Sequence, residues 1–311
     1  MFSHDTFHIK TKTRVKKLIQ AGFWRGISIQ DLERWCDEFK TPQEHELLSF
    51  LLDSLVYRSQ NQITGLIHQL FDTQLSQAIN WKSDLDSSSD NKSLFEILTL
   101  QYPNVRADKI RLVPVIKNED PPTKSGPLIA RILNKHKINH KYMCWPWDEE
   151  KLKSKNLIYT VFFDDFIGTG EQFVNFFNHL IHNNIIDTTQ SLFYYIAFSG
   201  TQSGIEYIER ETKGLVKVYV AETIKESNKF FCGFSTRYEK LGEYLDISLD
   251  SYVDSLKQTY LEFLHSHNVK NKELFGYGDL ELTHVFAHGT PNGTLPIFWS
   301  SNANYHALFQ R

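Results

Sequence analysis

Residues 162–173 read "FFDDFIGTGEQF": two aromatics, two adjacent acids and a glycine-rich turn, followed by another apolar run. The apolar residues from Ile158 to Phe163 predict a buried strand, and the apolar spacing after Phe173 predicts a helix. Backbone N–H groups at such a helix start can hold a phosphate, and the acids can accept hydrogen bonds from sugar hydroxyls or bind a divalent metal. The stretch therefore predicts a ribose 5-phosphate site. A plain strand-to-helix turn with a capping acid is the simpler alternative.

Short apolar runs alternate with helical patterns in the rest of the same region. The runs are "KIRLVPVI" (109–116), "NLIYTVFF" (156–163), "SLFYYIAF" (191–198) and "GLVKVYVAE" (214–222). This alternation predicts an α/β fold with a parallel sheet that is covered by helices on both faces. Ligands of such folds bind beyond the carboxyl ends of the strands, which is where the two acids and the glycine turn lie.

The first part of the chain has a different pattern, and residues 1–81 are predicted to form a small all-helical domain. One of its helices has Thr41 as N-cap, Pro42 in its first turn and Glu44 at the capping-box position. Residues 82–104, which begin with the serine-rich "KSDLDSSSDNK", are predicted to be a linker. The α/β domain is then predicted to span residues 105–311.

Composition limits the classes of protein that the chain can belong to. Its 311 residues carry a formal net charge of -3, which argues against general coating of nucleic acid but allows a local basic patch. The three cysteines, Cys36, Cys144 and Cys232, are widely spaced and fit a reducing cytoplasm. The first residues lack the apolar segment of a signal peptide, and no apolar run approaches the roughly 20 residues of a membrane span. We therefore expect a cytoplasmic protein without a membrane partner.

The order of residues from Phe162 to Gln172 resembles the phosphoribosyl diphosphate (PRPP) motif of type I phosphoribosyltransferases. In that motif apolar residues precede two acids, three variable residues, Thr, Gly and, one residue later, Thr or Ser. The match holds through Gly170 and departs at two positions. Gly168 stands where several base-transferring members have an acid that serves as general base, and Gln172 replaces a hydroxyl residue. The resemblance implies a type I phosphoribosyltransferase-like sheet, and it supports ribose-phosphate binding better than ordinary purine salvage.

The same resemblance implies roles for individual residues. Asp164 and Asp165 would hold the ribose hydroxyls and, together with PRPP or a nucleotide, Mg2+. The phosphate groups would be held by residues of two loops: Gly168, Thr169, Gly170, Glu171 and Gln172 in the motif, and Lys117, Lys124, Ser125 and Gly126 upstream. Glu171 would repel a phosphate unless it points to solvent. For the upstream loop, and for the turn "FSGTQSG" (198–204), a polar turn that caps a helix is as good an explanation as a ligand role.

The tail "THVFAHGTPNGTLPIFW", residues 283–299, resembles the C-terminal part of phosphoribosyltransferase-like proteins from bacterial conflict systems. Those proteins carry an N-terminal helix-turn-helix-type domain, and some are toxic effectors encoded beside retron reverse transcriptases. The resemblance implies a catalytic or base-binding role for His288, although a lone histidine is more often structural. We expect residues 276–293 to fold over the carboxyl edge of the sheet, while a surface hairpin remote from the site is the alternative.

A basic run near the N-terminus is a candidate nucleic-acid contact, and its residues are Lys10, Lys12, Arg14, Lys16 and Lys17. Phosphates of a nucleic-acid backbone would attract such a run. A solvated helix face is the ordinary alternative for a charged run. The helix-turn-helix resemblance makes the two interpretations about equal.

Taken with the resemblance, these patterns give two hypotheses for function. The first is an effector of a bacterial anti-phage system of the retron type, which acts on PRPP or a nucleotide by chemistry at the anomeric carbon of the ribose. Its partners would then include a reverse transcriptase and the DNA or RNA product of that enzyme. The second is a catalytically inactive module that senses a nucleotide and signals through its helical domain to DNA or a partner. Loss of the acid at Gly168 favours the second hypothesis or an unusual acceptor.

Overall fold

A computed structural model describes residues 4–85, 92–99, 107–121, 124–269 and 271–309. By their contacts these residues form two compact units. One comprises Met1–Gln60 with Lys225–Arg311, and the other comprises Asn61–Ile224. Parts of the predicted linker, residues 86–91 and 100–106, lie outside the described residues.

The strands are β1 (Val56–Arg58), β2 (Ile110–Pro114), β3 (Tyr159–Ile167), β4 (Leu192–Thr201), β5 (Val216–Ile224) and β6 (His284–Phe286). The α-helices are α1 (His4–Gln20), α2 (Ile29–Cys36), α3 (Pro42–Ser54), α4 (Gln60–His68), α5 (Ser76–Ala78), α6 (Trp81–Asp84), α7 (Leu94–Ile97), α8 (Ser125–Lys135), α9 (Glu149–Leu152), α10 (Glu171–His182), α11 (Gln202–Glu211), α12 (Phe234–Arg237), α13 (Glu239–Leu245) and α14 (Leu249–Ser266). A π-helical segment spans Gln69–Leu75, and 3-10 turns span Ala107–Lys109, His140–Tyr142, Glu226–Asn228, Tyr277–Asp279 and Pro296–Phe298.

The two units divide the chain differently from the predicted boundaries of 1–81, 82–104 and 105–311. The reason is long-range pairing: β1, near the end of the N-terminal helices, pairs in parallel with β6 of the tail. The helices α1, α2 and α3 therefore share a core with the C-terminal segment, and that core includes Trp35, Phe39 and Phe298. The segment after Gln60, which was predicted to belong to the helical domain, packs instead with the larger sheet.

The N-terminal helices themselves agree with the prediction. Thr41 caps α3, since its hydroxyl accepts a hydrogen bond from the N–H of Glu44 at 3.2 Å, and Glu44 accepts the Thr41 N–H in return. Ser28 and Asp31 form a second capping box at α2. The helical character of this region is thereby confirmed, whereas its helix-turn-helix type stays a prediction. None of the helices among the described residues is long and apolar enough to cross a membrane.

Among the described residues of the second unit, four strands form a parallel sheet in the order β2-β3-β4-β5. The α/β fold with a parallel sheet is thus confirmed. The central strand β3 is longer than predicted, because it continues beyond Phe163 to Ile167. Its last residues still pair with β4: Asp164 lies beside Ala197, and Phe166 lies beside Ser199. The two acids are therefore within strand β3, near its carboxyl end, rather than in the loop after it.

One face of the sheet is covered by α10 through a cluster of aromatic rings. Phe162 of β3 lies at 5.5 to 6.0 Å, between ring centroids, from Phe173, Phe176 and Phe177. Because successive strand residues point to opposite faces, Asp164 shares this face with Phe162, one rung nearer the carboxyl edge. The packing fixes the direction in which Asp164 leaves the strand.

Candidate functional site

Asp164 is the most deeply buried acid of the predicted site, with only 4% of its surface exposed. Its oxygen Oδ1 accepts two hydrogen bonds, one from the hydroxyl of Ser125 at 2.6 Å and one from the backbone N–H of Asp165 at 2.9 Å. Burial, and then the nearby charge of Asp165, raise the pKa of Asp164 well above its usual value. Asp165, by contrast, is only half-buried.

Tyr195 of β4 lies in the core close to the two acids. Its ring stacks on Phe173 with 4.0 Å between centroids. Burial first, and the carboxyl groups of Asp164 and Asp165 after it, raise the pKa of Tyr195 well above its usual value, so its hydroxyl stays neutral. The core side chains next to the two acids are therefore apolar or uncharged. Electrostatic interactions of the acids on this side are weakly screened as a result.

The turn Gly168–Gly170 that follows β3 is packed against the start of α11. Gly170 has φ of 84°, and a Cβ atom there would lie 2.6 Å from the carbonyl oxygen of Gly204. A Cβ atom on Gly204 would lie 2.0 Å from the carbonyl oxygen of Gly168. Thr201 donates its hydroxyl to that same Gly168 oxygen at 2.5 Å and accepts the Gly204 N–H at 3.0 Å. Both glycines are therefore required by close backbone approach, and Thr201 holds the turn.

The first turn of α10 presents its backbone N–H groups beside this glycine turn. Gly170 is the N-cap residue and offers no side chain that could bond these groups. Thr169 accepts the N–H of Glu171, although at a long 3.4 Å. Glu171 and Gln172 are both exposed to solvent, and the expected repulsion between Glu171 and a phosphate stays a prediction. The arrangement can receive a phosphate through N–H groups and the positive end of the helix dipole.

The upstream loop connects β2 to α8, and its four predicted residues have different surroundings from one another. Ser125 begins α8 and donates its hydroxyl to Asp164, and its predicted role as a phosphate ligand stays a prediction. Gly126 packs closely, since a Cβ there would lie 3.2 Å from Pro114 Cβ. Asp120 organises the loop: it accepts the N–H of Lys117 at 2.8 Å and lies 3.8 Å from Lys124 Nζ. Asp120 thus links the two lysines in the loop that follows β2, the strand that pairs with β3.

A pair of polar residues at the same edge was not singled out from the sequence. The hydroxyl of Ser199, which is fully buried, donates to Glu222 Oε2 at 3.0 Å. Ser199 lies between Phe166 and Glu222 in the sheet register. The signal available in the sequence was the position of Glu222, an acid at the end of an apolar run that predicts a strand.

His288 lies in the tail after β6, in the other compact unit from Asp164. Its ring stacks on Phe286 with 5.2 Å between centroids and 13° between the ring planes. His284 is buried in β6, and His306 lies with its Nε2 3.1 Å from Arg34 Nη1. The catalytic role of His288, and the closure of the tail over the sheet, stay predictions.

The basic run lies on α1, and three of its five residues have acidic partners within the chain. Lys12 and Lys16 both pair with Glu33. Arg14 pairs with Asp53 at 2.9 Å and also donates to the carbonyl oxygen of Leu52 at 3.1 Å. The other two, Lys10 and Lys17, are exposed. A nucleic-acid contact by this run stays a prediction, and the two exposed lysines are its best-placed members.

Asp164 and Asp165 fit a Mg2+ ion only if a bound substrate supplies further oxygen ligands. Within the described ranges, no group of three or more His, Cys, Asp or Glu side chains could hold a metal by itself. Mg2+ commonly binds one or two carboxylates together with phosphate oxygens of a substrate. A carboxylate of Asp165, which is half-buried, would have to act together with a bound diphosphate, because Asp164 has its Oδ1 engaged by Ser125 and by the Asp165 N–H, and the two acid side chains also hydrogen-bond each other.

A parallel sheet whose central strand ends in two acids and a glycine turn, with a helix start behind them, defines a phosphoribosyltransferase-like protein. The PRTase-CE family model matches residues 32–311, so the chain belongs to the PRTase-CE family. No curated protein matches it. Among solved structures, orotate phosphoribosyltransferase from Aeropyrum pernix is similar at 16% identity and a TM-score of 0.25. The match covers 44% of this chain and 66% of that one. The predicted phosphoribosyltransferase-like identity is confirmed, and the anti-phage context stays a prediction.

Proposed function

We propose that this protein is a phosphoribosyltransferase-like enzyme that binds PRPP or a nucleotide with Mg2+ and reacts at the anomeric carbon of the ribose. The observation that carries the proposal is the meeting of three elements at one sheet edge. β3 supplies Asp164 and Asp165 near its end, the turn Gly168–Gly170 leads into the first turn of α10, and α8 supplies Ser125 to Asp164. A sugar and its 5-phosphate need donors and acceptors in this order.

Each element has a distinct task in the proposed reaction. Asp165 and Asp164 hydrogen-bond the ribose hydroxyls, and the N–H groups at the start of α10 bind the 5-phosphate. Lys117 and Lys124 neutralise charge on the diphosphate at the end of β2. Bound Mg2+ would add charge neutralisation at that diphosphate. With Gly168 in place of an acid, catalysis comes from orientation and from electrostatic support of an oxocarbenium-like centre rather than from a base in the motif.

The biological setting is part of the proposal and rests on the tail resemblance. The chain would act in the cytoplasm as an effector of a bacterial anti-phage system of the retron type, together with a reverse transcriptase and its DNA or RNA product. A nucleotide-sensing module without catalysis is the second candidate. This second candidate is favoured because position 168 is glycine instead of the acid that usually serves as base, while the two acids proposed for the ribose are kept.

One experiment separates the two candidates. The purified full chain is incubated with Mg2+ and PRPP, or with each of the common nucleotides, and both diphosphate and free base are measured over time. Turnover that is lost on Asp164→Asn with Asp165→Asn supports the enzyme. Binding by calorimetry without turnover supports the sensor. Neither binding nor turnover in the wild-type protein would overturn both.

A further inference from the structure

The carboxyl edge of the sheet carries a second polar position, two strands away from the ribose-binding acids. In the register, Phe166 of β3, Ser199 of β4 and Glu222 of β5 lie side by side. Because aligned residues of parallel strands share a face, Glu222 lies on the face that carries Asp164, one rung further along. Glu222 is half-buried, and the Ser199 hydroxyl fixes one of its oxygens at 3.0 Å.

The backbone that carries Glu222 is also held in place from outside the sheet. Gln74 donates its side-chain amide to the carbonyl oxygen of Val220 at 2.7 Å, and Gln69 donates to that of Ala221 at 2.9 Å. Both glutamines belong to the π-helical segment Gln69–Leu75. The two residues that precede Glu222 on the outer strand are therefore tied down, as a binding position requires.

The order of the strands sets the direction from which an acceptor approaches. Under the proposed function, the diphosphate leaves toward Lys117 and Lys124 at the end of β2, and the ribose sits at β3. The group on the anomeric carbon opposite the leaving diphosphate therefore lies toward β4 and β5. Strands are spaced by about 4.8 Å, so β5 lies roughly 10 Å from β3, which leaves room for a planar ring between the ribose and Glu222.

We infer that Glu222, oriented by Ser199, recognises the N–H edge of a nucleobase-sized heterocycle on the far side of the ribose. A carboxylate accepts hydrogen bonds and donates none, so it selects a ring whose outer edge presents N–H donors. Guanine presents two neighbouring donors of this kind, whereas adenine presents a donor beside an acceptor. The inference rests on the proposed ribose site and adds the substrate class that this site takes.

The test compares ligands that share a ribose phosphate and differ in the base, or lack one. Affinities of GMP, AMP and ribose 5-phosphate are measured by calorimetry with Mg2+, for the wild type and Glu222→Gln. We expect GMP to bind the wild type more tightly than AMP does. Glu222→Gln should lower the affinity for GMP by about ten- to a hundredfold, as expected for loss of a hydrogen bond to a charged group. The affinity for ribose 5-phosphate should not change.

Two further variants protect this result from trivial explanations. Glu209→Gln removes the same charge from the exposed face of α11 and should change none of the three affinities. Ser199→Ala should lower the affinity for GMP by a smaller factor, since the Glu222 carboxylate is kept but no longer oriented. If Glu222→Gln does not fold, Ser199→Ala provides the test in its place.

The outcomes separate this inference from the proposed function. If ribose 5-phosphate and GMP bind but neither Glu222→Gln nor Ser199→Ala affects GMP, the inference is overturned and the ribose site stands. Equal affinities of GMP and AMP for the wild type overturn it too. If no ligand binds the wild type at all, the proposed ribose site fails, and this inference fails with it.

Discussion

The hydroxyl of Ser125 donates a hydrogen bond of 2.6 Å to Asp164, and so joins the first residue of α8 to the acid at the end of β3. The two residues are 39 positions apart in the chain. The loop before Ser125 carries the lysines proposed for the diphosphate, so this bond couples that loop to the acid that is proposed to bind the ribose. We therefore propose that Ser125 positions Asp164, while its role as a phosphate ligand stays a prediction.

Ser125→Ala should weaken PRPP binding while leaving the fold intact. Asp164 loses one partner but keeps the Asp165 N–H, so we expect the free energy of unfolding to fall by only about 1 kcal/mol. PRPP affinity from calorimetry and the unfolding midpoint are the measurements. Ser251→Ala, at an exposed position of α14 in the other unit, is the control. An unchanged PRPP affinity would show that Ser125 has no positioning role.

Asp164 should make the protein less stable as the pH rises. Its pKa in the folded chain is raised above the usual value of 3.8, so the folded state binds the proton more tightly than the unfolded chain does. Its contribution is fully present below the unfolded value and is lost as the pH rises through the folded value.

The variant Asp164→Asn should remove this dependence. Denaturant unfolding of the wild type and of Asp164→Asn, across a pH series that starts below 3.8, measures it. The wild type should lose stability relative to the variant as the pH rises, while the variant loses PRPP binding at neutral pH. Parallel stability curves would contradict a raised pKa.

Gly170→Ala and Gly65→Ala should change stability in opposite directions. At Gly170 the φ of 84° and the approach of the Gly204 oxygen, 2.6 Å from an added Cβ, leave no room for a side chain. We expect a loss of more than about 1 kcal/mol and weaker phosphate binding. Gly65 lies on an exposed face of α4 with nothing within 4 Å of an added Cβ. Its replacement should stabilise the protein by about 0.5–1 kcal/mol. Thermal unfolding compares the two, and a stabilised Gly170→Ala would be the contrary result.

Any nucleic-acid binding by α1 should depend on Lys10 and Lys17 more than on the basic residues that have acidic partners. Replacing both lysines with Gln should reduce the slope of log affinity against log salt by about 1.4 to 1.8, the range for two phosphates on single or double strands. Fluorescence anisotropy with labelled DNA at several salt concentrations measures the slope. Arg14→Gln, which breaks the pair with Asp53, should cost stability more than affinity. Salt-independent binding would point to a protein partner instead.

His288→Ala tests the predicted role of the tail. If residues 276–293 close the site, the variant should lower turnover with PRPP by more than its loss of thermal stability explains. His284→Ala is the comparison, because His284 is buried in β6 and its loss should act mainly on stability. Turnover of His288→Ala equal to the wild type would remove the tail from the mechanism.

Local patterns predicted the parts of this protein that depend on neighbours in sequence. The cap at Thr41, the α10 helix with its Phe173–Phe177 face, and the strand–turn–helix order around Asp164 are each set within a few residues. The sequence pattern predicted that β3 ends at Phe163, which is too early, because two adjacent acids are not typical of a buried strand. In the structure Ser125 supplies Asp164 with a donor, and the pairing with β4 continues to Ile167.

The sequence by itself determined an α/β sheet, its likeness to the PRPP motif and the glycines of that motif. Tertiary structure alone decided that β1 pairs with β6, that Thr201 holds Gly168, and that Ser199 orients Glu222. These contacts join residues tens to hundreds of positions apart, and short-range periodicity carries no information about them. They form because buried strand edges and buried hydroxyls must find hydrogen-bond partners wherever the folded chain supplies them.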